Sequence, residues 1–238
     1  MLSMQWILAA AATLALSDTQ VEVKASKRVA ELPYRDYVEV QHQLQAYLPP
    51  EPNLVDLWFR IGLQGKAEAE QDALMPKSLA VSIYSESVDA PIPLRRGAYF
   101  SLPEVQKAYD ERGLILFSGI DRPWLGIWWT LRVPEGRRMA YADIRKAREQ
   151  IAGVQAKISA FSPRLKGVKR EPYDGIKACF QDATGLILVN GSAYADAAEG
   201  HCKVLFDNPA LAPAASIEFS GPLDVVSFID RRYYPSKK

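Results

Sequence analysis

Histidine and cysteine are scarce in this chain, with two of each among 238 residues. His42 lies in VEVQHQLQ and His201 in EGHCKVLF, and no Cys-x-x-Cys, His-Glu-x-x-His or calcium-loop spacing lies near either. That leaves too little material for a His- or Cys-rich metal centre, a Cys/His nucleophile or a Ser/His/Asp triad, so both histidines read as surface or interface residues. No nucleophile elbow, Walker A loop or dinucleotide fingerprint is present, and no metal or cofactor is expected. A surplus of one charge sign is missing too. Lys+Arg number 29 against 28 Asp+Glu, for a net charge of +1, which is not the basic footprint that phosphate backbones select. Nucleic acid is therefore excluded as an expected partner.

What the chain has is enough apolar material, 48% against 24% charged, to fold around a hydrophobic core. Its longest apolar run, WILAAAATLAL from Trp6 to Leu16, precedes Ser17 and a polar stretch. The run is shorter than the ~20 residues that span a bilayer and suits a signal-peptide core, with small Ala15 and Ser17 placing cleavage after residue 17. No cysteine follows to carry a lipid. The expectation is a signal peptide at 1–17, a linker at 18–33, and a periplasmic or secreted product that is not an integral membrane protein once the signal is removed.

Two segments recur in the same order. YRDYVEVQHQL (34–44) aligns without gaps on YADIRKAREQI (141–151), pairing Tyr34 with Tyr141, Asp36 with Asp143 and Gln43 with Gln150; GLILFSG (113–119) resembles ASIEFSG (215–221). Ordered self-similarity is the mark of a duplicated unit, which predicts repeat units at 34–138 and 139–238. Each opens with an amphipathic helix. In the second, Tyr141, Ile144, Ala147, Ile151, Val154 and Ile158 follow steps of three and four, a stripe that needs an apolar partner surface. Asp36 and Asp143 fall in the first turn, where a carboxylate complements unpaired amides.

After each helix the pattern becomes short β-rich runs: LVDLWFRIGL, SLAVSIYS, GAYFSL, LILFSG and LGIWWTLRV, then GIKACFQ, LILV, HCKVLF, SIEFSG and LDVVSFI. The fold class predicted is mostly β with helices, two tandem antiparallel β-sandwich-like repeats each preceded by an amphipathic helix. Asn190-Gly191 is a type I′ hairpin turn in this reading rather than a glycosylation site. GKAEAEQDALMP (65–76), acidic and without a strand pattern, reads as a mobile surface loop. RLKGVKR (164–170), with Arg231, Arg232, Lys237 and Lys238, reads as solvated linker and tail rather than a surface for anionic lipid or cell-wall polymer. By strand spacing and the repeated FSG strand, residues 54–133 and 176–230 resemble the transthyretin-like or carboxypeptidase-regulatory-like β-sandwiches of exported bacterial proteins. The resemblance implies binding, adhesion or accessory modules and carries no catalytic residue across.

Two further expectations concern particular side chains. Cys179 and Cys202, both in strand-like runs, are expected to form a disulfide in an oxidising compartment. In DRPWLGIWWTLRV (121–133), alternation places Leu125, Ile127, Trp129, Leu131 and Val133 on a core face. Trp128 falls on the mixed face, beside Arg122, Pro123 and Trp124. Arg122, Trp124 and Trp128 are thus the candidate binding residues, with Trp128 either covered by a helix of this chain or open to a glycan ring or protein. The function expected is a non-catalytic exported envelope protein, a two-module binding or scaffold protein for a protein or glycan partner. The alternative is a carboxylate-dependent hydrolase of cell-wall or polysaccharide glycans, drawing on acids such as Glu68, Glu70, Asp72, Glu86 and Asp89.

Overall fold

A computed structural model describes residues 30–50, 52–63, 65, 68–74, 79–119, 123–158 and 172–233. Residues 1–17, expected as a signal peptide, most of the stretch 18–33 expected as a linker, Arg122, the basic run 164–170 and Lys237 and Lys238 lie outside the described residues. Among the described residues the chain is mostly β with four helices. The first half runs β1 (Ala30–Pro33), α1 (Tyr34–Gln45), β2 (Val55–Leu63), α2 (Glu68–Asp72), β3 (Ala80–Tyr84), β4 (Asp89–Ile92), β5 (Tyr99–Phe100), α3 (Gln106–Asp110), β6 (Leu114–Ser118) and β7 (Pro123–Leu131). The second runs β8 (Arg138–Ala140), α4 (Tyr141–Lys157), β9 (Gly175–Phe180), β10 (Leu186–Val189), β11 (Ser192–Ala193), β12 (Ala197–Glu199), β13 (Cys202–Phe206), β14 (Ser216–Ser220) and β15 (Leu223–Ile229).

Among the described residues all paired strands are antiparallel and form three sheets. Two are four-stranded, ordered β1-β6-β3-β4 and β8-β14-β10-β11, so that each position in one has its counterpart in the other. The two Phe-Ser-Gly segments occupy the ends of β6 and β14, the second strand of each order. The helix starts correspond as well. The backbone amide of Tyr34 donates to Gly113 and that of Tyr141 to Ala215, in each case just before β6 or β14. The buried hydroxyls of these tyrosines accept the amides of Val105 and Asn208, both at 2.8 Å. The side chain of Asp143 accepts the Ala140 amide and closes the first turn of α4.

The third sheet has seven strands, β12-β13-β9-β15-β7-β2-β5, and is shared by the two halves, joined where Thr130 of β7 pairs with Ser227 of β15. One face carries the cores. Ile144, Ala147, Ile151 and Val154 of α4 pack with Val55, Leu57, Trp129 and Leu131, so the stripe of the second half's helix finds its partner on strands of the first half. A second core gathers Tyr34 and Val38 of α1 with Phe59, Ile61, Val81, Ile83, Ile115 and Phe117. Trp129 is thus core, as alternation predicts.

The structure differs from the sequence reading in three places. Residues 30–33, expected as linker, form β1 and pair with β6. The segment expected as a surface loop after Gly65 contains α2, whose Gln71 and Asp72 are buried. The run GAYFSL, read as a strand, reduces to the two residues of β5, and α3 follows it. In each case tertiary hydrogen bonds or ion pairs outweigh a weak local pattern. Asn190 and Gly191 do form the β10–β11 turn, both with positive φ (51° and 81°). Among the described residues no helix is long and apolar enough to cross a membrane.

Candidate functional site

The face of the seven-stranded sheet opposite the cores is where the chemistry gathers. Because Val55, Leu57, Phe59 and Ile61 face the cores, Trp58, Arg60 and Gly62 point the other way. On β7 that face receives Trp124, Gly126, Trp128 and Thr130, on β9 Lys177 and Cys179, and on β13 Cys202. The sheet is rolled about this face. Arg96, beside β5 at one edge, donates to the carbonyls of Phe180 (3.1 Å) and Gln181 (3.2 Å) at the end of β9 and pairs with Asp224 of β15.

At the centre of the rolled face lie four charges. Arg60 and Lys177 are each 1% exposed and come from different halves; both partners, Glu68 and Asp72, come from α2. Arg60 donates from Nη1 to Glu68 (2.6 Å) and from Nη2 to Asp72 (2.7 Å). Its Nε reaches the Gly97 carbonyl at 3.1 Å, presented by a turn in which Gly97 and Ala98 are both left-handed (φ 73° and 59°). Lys177 donates to Glu68 at 2.6 Å and to both oxygens of Asp72 at 2.7 Å. Gln71 anchors α2 to the edge of β2, accepting the Leu63 amide and donating to the Ile61 carbonyl. The Arg60 guanidinium lies over the rings of Tyr99 (4.6 Å) and Trp128 (5.5 Å), which shield it from water.

Burial works against both cations, but the oxygens of Tyr99, Asp72 and Glu68 around them more than offset it and raise both pKa values. Burial likewise favours the neutral Glu68, yet Lys177 and Arg60 prevail and lower its pKa from 4.5 to about 2. The two buried cations thus favour the ionised form of Glu68. A folded pKa below the unfolded one adds stability that is present above pH 4.5 and lost as pH falls toward 2. Urea midpoints measured through that window are expected to fall, and to fall less steeply in Glu68→Gln. Equal slopes in the two proteins would show that Glu68 does not carry this linkage.

The tryptophans lie next to this cluster. Trp128 meets Tyr99 edge-on (6.3 Å) and Trp124 at a tilt (5.6 Å); it is half-buried and packed on the polar face, not covered by α4. Trp124 is 44% exposed. Its ring covers Gly62, where a Cβ would fall 1.8 Å from the indole, and crowds Gly126, where a Cβ would fall 2.2 Å from Trp128 and 2.5 Å from Trp124. The two glycines are what let these indoles lie against the sheet. Gly62→Ala is expected to drive Trp124 off the strand, red-shifting and quenching its emission at a cost of about 1–2 kcal/mol. Unchanged emission would mean that the ring does not rest there. Of the candidate binding residues, Trp124 and Trp128 are thus neighbours.

Cys179 and Cys202 face each other on β9 and β13 with sulfurs 2.08 Å apart, at disulfide distance. One Asp72 oxygen lies within 4.8 Å of both sulfurs, but a disulfide offers no thiolate to a metal. Thiol titration of the unfolded, unreduced protein is expected to find no free group; two would exclude the bridge. His42 is exposed and pairs with Glu104 at 2.9 Å, and His201 sits in the turn before β13. Arg231 pairs with Asp174 and Arg232 with Asp230.

Sequence reasoning missed Arg60, Lys177 and α2. The only local signal was a basic residue flanked by apolar neighbours in each of two strands, VDLWFRIGL and GIKACF. No protein-family model matches the chain, and no curated protein is significantly similar to it in sequence.

Proposed function

We propose that the protein is a non-catalytic binding module of the periplasm or extracellular space, built from two copies of one unit, which holds a glycan against Trp124 and Trp128. The observation that carries the reading is Trp124, a large ring left 44% exposed yet laid against the strand by Gly62 and Gly126. Such an indole offers an apolar plane to the C–H face of a sugar. Export is supported by the apolar run before Ser17 and by a cysteine pair at disulfide distance, which an oxidising compartment preserves. The matching orders of the four-stranded sheets and the matching tyrosine contacts support duplication. The test is retention on insoluble cell-wall glycan. Trp124→Ala is expected to fold normally and lose retention about tenfold or more, since an exposed ring contributes little to the core. A Trp124→Ala protein retained as well as the parent would end the glycan reading.

A further inference from the structure

Among the four clustered charges, solvent reaches one. Asp72, Arg60 and Lys177 are at most 2% exposed, whereas Glu68 is 34% exposed and its carboxylate touches both cations at 2.6 Å. Glu68 thus stands between water and a pair of buried cations supplied by the two halves of the chain.

A second observation points the same way. The hydroxyl of Tyr99 is buried and has no hydrogen-bond partner among the described residues, and Ser227, the register neighbour of Lys177, is in the same condition. The Tyr99 ring lies under the Arg60 guanidinium, and the charges of Arg60, Lys177, Asp72 and Glu68 all act on its hydroxyl. A buried donor without an acceptor costs about 1–3 kcal/mol. Both oxygens of Asp72 are engaged by Lys177, and Glu68 already bridges the two cations with one of its own. As these side chains stand, neither carboxylate serves the Tyr99 hydroxyl, and one group with three oxygens could serve Arg60, Lys177 and that hydroxyl together.

We infer that the Glu68 side of this cluster is an oxyanion site for a phosphate or sulfate group, and that Glu68 is its built-in competitor. A tetrahedral oxyanion in place of the Glu68 carboxylate presents one oxygen to Arg60 Nη1, one to Lys177 Nζ and a third to the Tyr99 hydroxyl, while Asp72 keeps the remaining donors occupied. Charge-assisted hydrogen bonds from two desolvated cations are the strong kind, and an arginine keeps its charge at any working pH. Wild-type protein therefore binds such a group weakly, and removing the Glu68 charge opens the site. The inference stands on residues other than the tryptophan platform and does not require the glycan reading.

The experiment titrates wild type and Glu68→Gln with inorganic phosphate, sulfate and glucose 6-phosphate, following tryptophan emission and Tm against chloride at equal ionic strength. Glu68→Gln is expected to bind at least one of the three about tenfold more tightly than wild type, and Tyr99→Phe in that background to lose most of the gain. The inorganic ions and the ester distinguish a free anion from a phosphorylated sugar. A response in Glu68→Gln no different from chloride, or one that Tyr99→Phe leaves intact, overturns the inference. Should Glu68→Gln fail to fold, wild type carries the test at high anion concentration: phosphate or sulfate is expected to raise its Tm above chloride at equal ionic strength, and no rise overturns the inference. Trp124→Ala is predicted to leave the inorganic phosphate and sulfate responses unchanged, so the two proposals stand or fall separately.

Discussion

Asp72→Ala is expected to be the most damaging substitution on the polar face, costing about 3–5 kcal/mol. Asp72 is 2% exposed and takes Arg60 and Lys177 on its two oxygens. Truncation leaves two buried cations sharing the Glu68 carboxylate, and the unpaired charge, rather than the lost attraction, sets the cost. The same physics makes a second expectation. Replacing Arg60, Glu68, Asp72 and Lys177 together by apolar residues of similar volume costs far less than Asp72→Ala, because no charge is then left buried alone. Urea unfolding of the two proteins decides it. If Asp72→Ala unfolds within about 1 kcal/mol of the parent, the cluster is solvated and its role as a staple between the halves is lost.

Trp129→Ala is expected to cost about 3–5 kcal/mol from the opposite face of the same sheet. Trp129 is among the largest fully buried side chains and packs in the core that α4 shares with β2 and β7. Its loss opens a cavity under α4 that the rigid sheet cannot close, at the surface where one half's helix rests on the other half's strands. Trp124→Ala, five residues away and exposed, is expected to cost under about 1 kcal/mol. The contrast within one strand is the check. Comparable losses for the two tryptophans would place Trp124 in a packed environment and remove it as a binding surface.

The contrast also marks how far the sequence reaches. Alternation along LGIWWTLRV is enough to separate Trp129 from Trp128, because a strand has a period of two and one face must be apolar to be buried. The helical stripes from Tyr34 and Tyr141, the Asn190-Gly191 turn and most of the strands were legible for the same local reasons. β1, β4 and the short β8 and β12 were not, since three or four residues carry no periodicity and are held by their neighbours in the sheet. Cys179 and Cys202 could be paired by elimination, yet nothing local placed them opposite one another on adjacent strands.

By itself the sequence determined a β-rich chain with amphipathic helices, short of histidine and cysteine, whose tryptophan strand has one core face and one mixed face. Those properties follow from side-chain volume, charge and period, and each can be read within a window of about ten residues. The tertiary structure alone decided that β7 and β15 join two halves into one sheet, and that this sheet rolls until Arg60, Lys177 and two acids of α2 share a buried space. Arg60 and Lys177 are more than a hundred positions apart in the chain. A charge cluster that draws on residues so far apart depends on strand order and on the curvature of the sheet, which no local pattern encodes. Isolated charges in apolar strands read as accidents until the fold brings their counter-charges to them.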